Sequence, residues 1–285
     1  MANPNKNPAF MFGYRLYVAA FFIFLAAPLI AAGAFAFNDS LFPALPWQGF
    51  TLDWFFNDTE PKLGMFHDRR LLRGLYYSFI IGILVSTLSV FVGTTNAFLF
   101  VRGNFPAKNF FYILMILPLV IPGVILGISI LVLASNMANG VEDRFNLELE
   151  FLRPGILLVV LGQFSFITTI TSLVITARLK KFDYSMEEAA LNLGASRIQV
   201  LRSVTLPFLR PAMIAAGIVG FLVSFENFNT TLFLVGSESP LTITMYDRMA
   251  KVGSTPVLNA VSFFLIVGSG LLALISVAVQ RDPPS

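Results

Sequence analysis

Positions 16–38, 74–101, 109–141, 154–177 and 252–280 hold no Asp, Glu, Lys or Arg, and 211–237 holds one, Glu226. Each run exceeds the roughly 20 residues that an α-helix needs to cross a hydrocarbon core. The runs are apolar all round, whereas barrel strands alternate over about 10 residues, so strands do not fit. The pattern predicts an all-α membrane protein with six transmembrane helices, at about 14–37, 75–101, 110–135, 154–177, 211–236 and 256–280. They form one transmembrane domain over 1–285, with a polar loop at 178–210 between the fourth and fifth helices. Ala34-Phe35-Ala36 looks like a signal cleavage site, but the apolar run before it is longer than the usual 7–15 residues, so a retained helix is expected.

Composition agrees. Charged residues are 12% of the chain against about 25% in soluble domains, and Phe alone contributes 31 positions. With no Cys and a single His, His67, the chain has no disulfide framework, no Cys-based zinc site, no thiol nucleophile and no His cluster for a metal. The net charge of +3 is not gathered on one face, so no nucleic-acid partner is expected. If the N-terminus is inside, the inner segments hold most of the Lys and Arg, and the 178–210 loop is rich in base, which places that loop and both termini in the cytoplasm. Trp47 and Trp54, in the outer segment 39–73, are expected to anchor the chain at the lipid–water interface.

The loop has internal order. Ser185 with Glu188, and Ser196 with Gln199, have capping-box spacing. Gly194 sits where a helix C-terminal glycine belongs, and Pro207 is expected to stop the second helix. The prediction is two short helices with a tight turn at Gly194-Ala195, a compact element suited to docking on a partner.

Glu188-Ala189-Ala190, three residues, Gly194, nine residues, Val204, one residue and Leu206-Pro207 resemble the signature loop of permease subunits in binding-protein-dependent ABC importers, with Val204 where the family has Ile. Phe37-Asn38, Ser40, Gly49, Thr51 and Trp54 resemble the outer loop of the spermidine/putrescine-type permeases. Ser78, Gly93, Ala97, Arg102, Pro118, Pro122-Gly123, Gly127 and Ser224-Phe225-Glu226-Asn227 follow in the same order. The resemblance implies a type I importer permease in a bacterial inner membrane, forming half of the path for a small hydrophilic organic solute such as a polyamine. It also implies a cytoplasmic coupling helix, built from Glu187, Glu188, Ala189, Ala190, Gly194, Ala195, Ser196 and Pro207, that docks on an ABC ATPase dimer. Its other implied partners are a second, homologous permease and a periplasmic or extracellular solute-binding protein.

No glycine precedes a lysine, so the chain lacks a Gly-x4-Gly-Lys-Ser/Thr phosphate loop. It is therefore expected to be a non-catalytic subunit without its own cofactor, with ATP and Mg²⁺ held by the ATPase. Glu226 is the one ionisable group within a predicted span, among Ser224, Asn227, Asn229, Thr230 and Thr231. On a continuous helix it would share a face with Asn229 and Thr230. Two readings stay open. Ser224, Glu226, Asn227, Asn229 and Thr230 line the solute path, or Glu226 is a structural acid held by a neighbouring helix. Similar permeases tend to carry two adjacent acids here, and Asn227 takes the second place. Asn96, Gln163, Ser165, Thr168 and Thr169 are read as hydrogen bonds between helices ahead of path residues. The rival for the whole chain is a self-contained secondary transporter or channel with Glu226 as its ion or proton site.

Overall fold

A computed structural model describes residues 8–280. The termini expected in the cytoplasm lie in part outside these residues. The helices are α1 Pro8–Phe35, α2 Asp53–Phe56, α3 Arg69–Arg102, α4 Lys108–Val120, α5 Gly123–Phe145, α6 Ile156–Leu179, α7 Ser185–Asn192, α8 Arg197–Val200, α9 Leu206–Phe225, α10 Thr231–Leu234, α11 Leu241–Val252 and α12 Pro256–Gln280. There is no strand among the described residues. Six helical stretches are long and apolar enough to span a membrane, as expected from the charge-free runs.

The chain divides into two compact units. In the first, residues up to 72 and 247–268, Gly33 of α1 lets the Phe263 ring approach. Phe37 packs on Phe50, Phe55 and Phe263 with ring centroids 5.1–5.4 Å apart. The outer loop is wound about Asn38. Its side-chain amide donates to the Ala44 carbonyl and its Oδ1 accepts from the Gln48 N–H, while its own carbonyl accepts the Trp54 indole N–H at 2.9 Å. Trp54 is therefore a buried core residue of the loop and not an interfacial anchor; Trp47 is exposed. Asp68 caps α3 by accepting the Arg70 and Leu71 N–H groups, and pairs with Arg248.

The second unit, residues 73–246 and 269 onward, is built around α6. Its apolar stretch is 61% buried, against 17–28% for the other long spans and 6% for α1, so α6 is the central helix. Small residues let the neighbours close on it. A Cβ on Gly93 of α3 would stand 2.6 Å from Thr171 Oγ1 and 3.0 Å from the Ser172 backbone nitrogen. Gly220 of α9 faces Ile167 and Thr171. Such small-residue contacts are how helices approach closely without a hydrophobic driving force.

The first and second spans start about six residues early, and the third and fifth differ from the expected bounds in course as well as length. The third span is interrupted, as Pro118, Pro122 and Gly123 lead one to expect: Pro122 has no N–H and drives Ile121 into an extended conformation (ψ 130°), while Pro118 is accommodated inside α4. It also runs to Phe145, ten residues beyond the expected end. The fifth span does not start after Pro207. Helix α8 passes through a π-helical turn, Leu201–Thr205, directly into α9, and Pro207 lies in the first turn of α9. The wider turn absorbs the ring and the missing N–H that stop a regular helix. The same span ends early, at Phe225, and is followed by an unwound segment, 226–230.

Gly93→Ala is expected to force α3 away from α6 and to destabilise the protein by about 1–3 kcal/mol, read as a lower midpoint of thermal unfolding in detergent. An unchanged midpoint would mean that the close approach is not needed.

Candidate coupling element and solute path

The segment that leaves α6 folds back as α7, a turn and α8. The Ser185/Glu188 capping box does not form. Tyr184 is already helical, so the cap falls two residues earlier, and the Asp183 carboxylate accepts the Ser185 N–H at 3.0 Å. That bond holds the Asp183 carboxyl below its ordinary pKa of 3.8. The second box does form, with Gln199 N–H donating to Ser196 Oγ (3.3 Å) and Ser196 N–H to Gln199 Oε1 (2.7 Å). Between them Gly194 adopts φ +88°, with Gly194 N–H on the Leu191 carbonyl and Ala195 N–H on that of Ala190, a Schellman turn. Space around Gly194 is open, so its requirement is conformational.

The two adjacent acids of α7 part company. Glu188 is exposed with Ala189, Gly194 and Ser196, and Ala190 and Ala195 are half-buried. Glu187 turns inward and accepts from Arg102 Nη2 at 2.7 Å and from the Thr205 hydroxyl. Arg102, at the end of α3, is stacked over Phe98, Phe182 and Tyr184 at 5.0–5.7 Å. Thr205 belongs to the π-helical turn. One carboxylate thus joins the ends of α3, α7 and α9 beside a cleft of about 250 Å³. The parts played by Arg102 and Thr205 are not visible in the linear sequence. Pro207 is exposed on α9 and is not part of α7.

The second polar cluster lies at the break after α9. Glu226 is the residue that closes α9, so the face expected to join it with Asn229 and Thr230 does not exist. Glu226 and Asn229 are exposed, Asn227 is half-buried, and Ser224 and Thr230 are buried. Gln163 of α6 donates to Thr231 Oγ1 at 2.8 Å and accepts from the Ser224 hydroxyl. Thr231 donates to Asn227 Oδ1 at 2.9 Å. Thr230 Oγ1 donates to the Gly123 carbonyl at the start of α5 (3.3 Å), and a Cβ on Gly123 would meet Asn229 and Thr230. The two helix breaks therefore meet. Asn96–Ser172 and Thr168–Ser89 are bonds between α3 and α6, as expected for polar residues within spans.

Spanning helices, paired breaks around polar side chains and a compact helix–turn–helix define a multi-pass membrane transport subunit. The chain belongs to the family of binding-protein-dependent transport system inner membrane components, whose match covers residues 86–281. It is 27% identical to the putrescine transport system permease protein PotI of Escherichia coli K12 over 95% of this chain and 92% of that one. It is 29% identical to the spermidine/putrescine transport system permease protein PotC of the same organism over 93% of each. Its fold superposes with TM-score 0.73 on a chain of a bacterial ABC transporter that imports the acidic polysaccharide alginate, at 19% identity, covering 95% and 94% of the two chains. The protein is a multi-pass inner-membrane permease subunit of an ATP-driven, binding-protein-dependent importer with the type I fold. It works with an ATPase and a solute-binding protein, and the self-contained transporter is not favoured.

Ionised Asp183 favours the capped start of α7 at pH above the carboxyl's ordinary 3.8, and this contribution is lost as pH falls below that value. Amide exchange at residues 185–188, corrected for its intrinsic rate, is expected to quicken on acidification. In Asp183→Asn that acceleration should vanish; its persistence would assign it to another group.

Proposed function

We propose that this permease carries a small organic amine of the putrescine or spermidine kind, and that Glu226 pairs with the ammonium group on the path. Two PotI- and PotC-type relatives over nearly the whole chain support the substrate class. The observation that carries the charge-reading role is Glu226 itself, the one acid of 211–237, exposed at a break in the helix and not buried against a neighbour. Discontinuous helices with polar groups at the break are how transporters commonly build a site at membrane depth.

In this reading Ser224, Asn227, Asn229 and Thr230 frame the path and a second, homologous permease supplies its other half. The 178–210 loop and both termini face the cytoplasm. There α7, with Glu188, Ala189 and Ala190 outward, docks on one subunit of an ATPase dimer that holds ATP and Mg²⁺. Glu187 keeps the helix seated, and Gly194 allows its turn.

The test is solute uptake and ATP hydrolysis by the reconstituted assembly, with diamines and polyamines set against anionic and neutral solutes. Hydrolysis stimulated by a cationic amine is expected, with amine uptake falling about tenfold in Glu226→Gln, the scale of one lost charged partner. Stimulation by an anionic or neutral solute, with Glu226→Gln unaffected, would overturn both parts. Gly194→Val strains the left-handed turn by about 1–2 kcal/mol; hydrolysis without matching uptake, or failed ATPase assembly, is the expected result. Normal coupled uptake would refute the docking role.

A further inference from the structure

We propose that Gln163 is a positioning residue of the solute path: from α6 it clamps both ends of the break, so that segment 226–230 presents Glu226 and Asn229. This rests on the reading that the segment faces the solute.

Gln163 is 1% exposed on the most buried helix of the protein. A primary amide buried in an apolar bundle is costly unless both of its polar atoms are matched. Here they are matched across the break. Ser224, in the last turn of α9, donates to Oε1, and Nε2 donates to Thr231, the first residue of α10. The hydroxyl protons run in one direction. Ser224 spends its proton on Gln163, and Thr231, having accepted from Gln163, spends its own on Asn227. The same Asn227 Oδ1 accepts the Thr231 backbone N–H at 3.2 Å.

Position 163 therefore needs a donor and an acceptor on one head group with the reach of Gln. Leu fills the volume and breaks both arms; Glu keeps an acceptor for Ser224 and can donate to Thr231 only while protonated, so it preserves the clamp in part. With its ends tied to one side chain, the segment between them cannot wind on from α9, and it turns Thr230 inward while leaving Glu226 and Asn229 exposed. Next to the clamp, Gly162 leaves room for the Leu234 side chain of α10, which a Cβ there would overlap.

The chain has no Cys, so Asn229→Cys gives it a single reporter thiol, whose labelling is read on this subunit within the full assembly of permeases, ATPase and binding protein. The rate at which a water-soluble maleimide alkylates the introduced thiol is measured with Gln, Leu or Glu at 163. Solute moved per ATP is measured for the same three residues with Asn229 in place. Gln163→Leu is expected to change the alkylation rate and to lower solute per ATP, each by about tenfold, the effect of leaving buried polar partners unmatched. Gln163→Glu is expected to move both in the same direction and less far. An assembled Gln163→Leu variant with unchanged alkylation overturns the clamp. If Gln163→Leu fails to assemble, Ser224→Ala deletes one arm of the clamp, and unchanged alkylation there overturns it equally. Glu226→Gln is run in parallel. Normal uptake in that variant, with alkylation altered in Gln163→Leu, would end the charge-reading role and leave the clamp standing.

Discussion

The hydrocarbon of a bilayer offers no hydrogen bonds, so the N–H and C=O groups freed where a spanning helix breaks must find partners in the protein or in a water-filled cavity. This chain breaks two of its spanning stretches, at Ile121-Pro122 and at 226–230, and the organisation of its second unit follows from that. The free groups are taken up locally and by neighbours. Ile121 N–H reaches the Leu117 carbonyl, Thr231 N–H reaches Asn227 Oδ1, and the Gly123 carbonyl accepts the Thr230 hydroxyl. The central helix, α6, reaches the second break through Gln163; its other buried polar side chains bond elsewhere, Thr168 and Thr171 to Ser89 of α3, Thr169 to the Met115 carbonyl of α4 and Ser172 to its own helix. A polar residue that would be a liability in an apolar bundle is here what makes an irregular one possible.

The segment around α7 obeys a different rule. Outside the apolar spans α7 is eight residues long and has no buried residue, so it cannot hold its place by burial. It is held by charge and stacking. Glu187 binds Arg102 and Thr205 together, and three rings pack around the Arg102 guanidinium. Displacing α7 alone would strip Glu187 of both partners and leave an unmatched charge at a partly covered site, which is expensive. The helix is therefore tied to α3, whose small residues seat it on α6, and to α9, whose far end carries the break.

The spans were legible because charge-free length is a property of the linear chain, and so was the turn at Gly194, where a left-handed φ calls for glycine. What could not be read depended on phase and context. Nothing in the composition after Phe225 distinguishes a helix that ends from one that continues, since Phe228 and the apolar Leu232–Val235 side chains prolong the pattern; only the density of Asn and Thr hinted at it. Pro207 reads as a stop wherever the helix must be regular, and a π-helical turn removes that condition. Ser185 and Asp183 are both good caps two residues apart, and the conformation of Tyr184 decides between them. Spacing singles out Glu188 as a capping-box partner but does not say which of Glu187 and Glu188 reaches Arg102. The rotation of α7 against Arg102 separates them, and rotation against another helix is set by tertiary packing.

Asn227 shows what the geometry does and does not dictate. Its Oδ1 accepts twice from Thr231, and those two bonds close the clamp around the break. An Asp at 227 would accept both equally well, because a carboxylate offers the same oxygen at the same reach. The amide is therefore not required by the fold of the segment. Its effect is on charge: with Asn at 227 the segment keeps the shape that exposes Glu226 and holds one carboxylate instead of two. Two carboxylates on adjacent residues would also repel each other, a cost that the neutral neighbour removes. The shape of this break and its charge are thus separable: Gln163, Thr231 and the Oδ1 of position 227 hold the first, and the second depends on whether 227 is an amide or an acid.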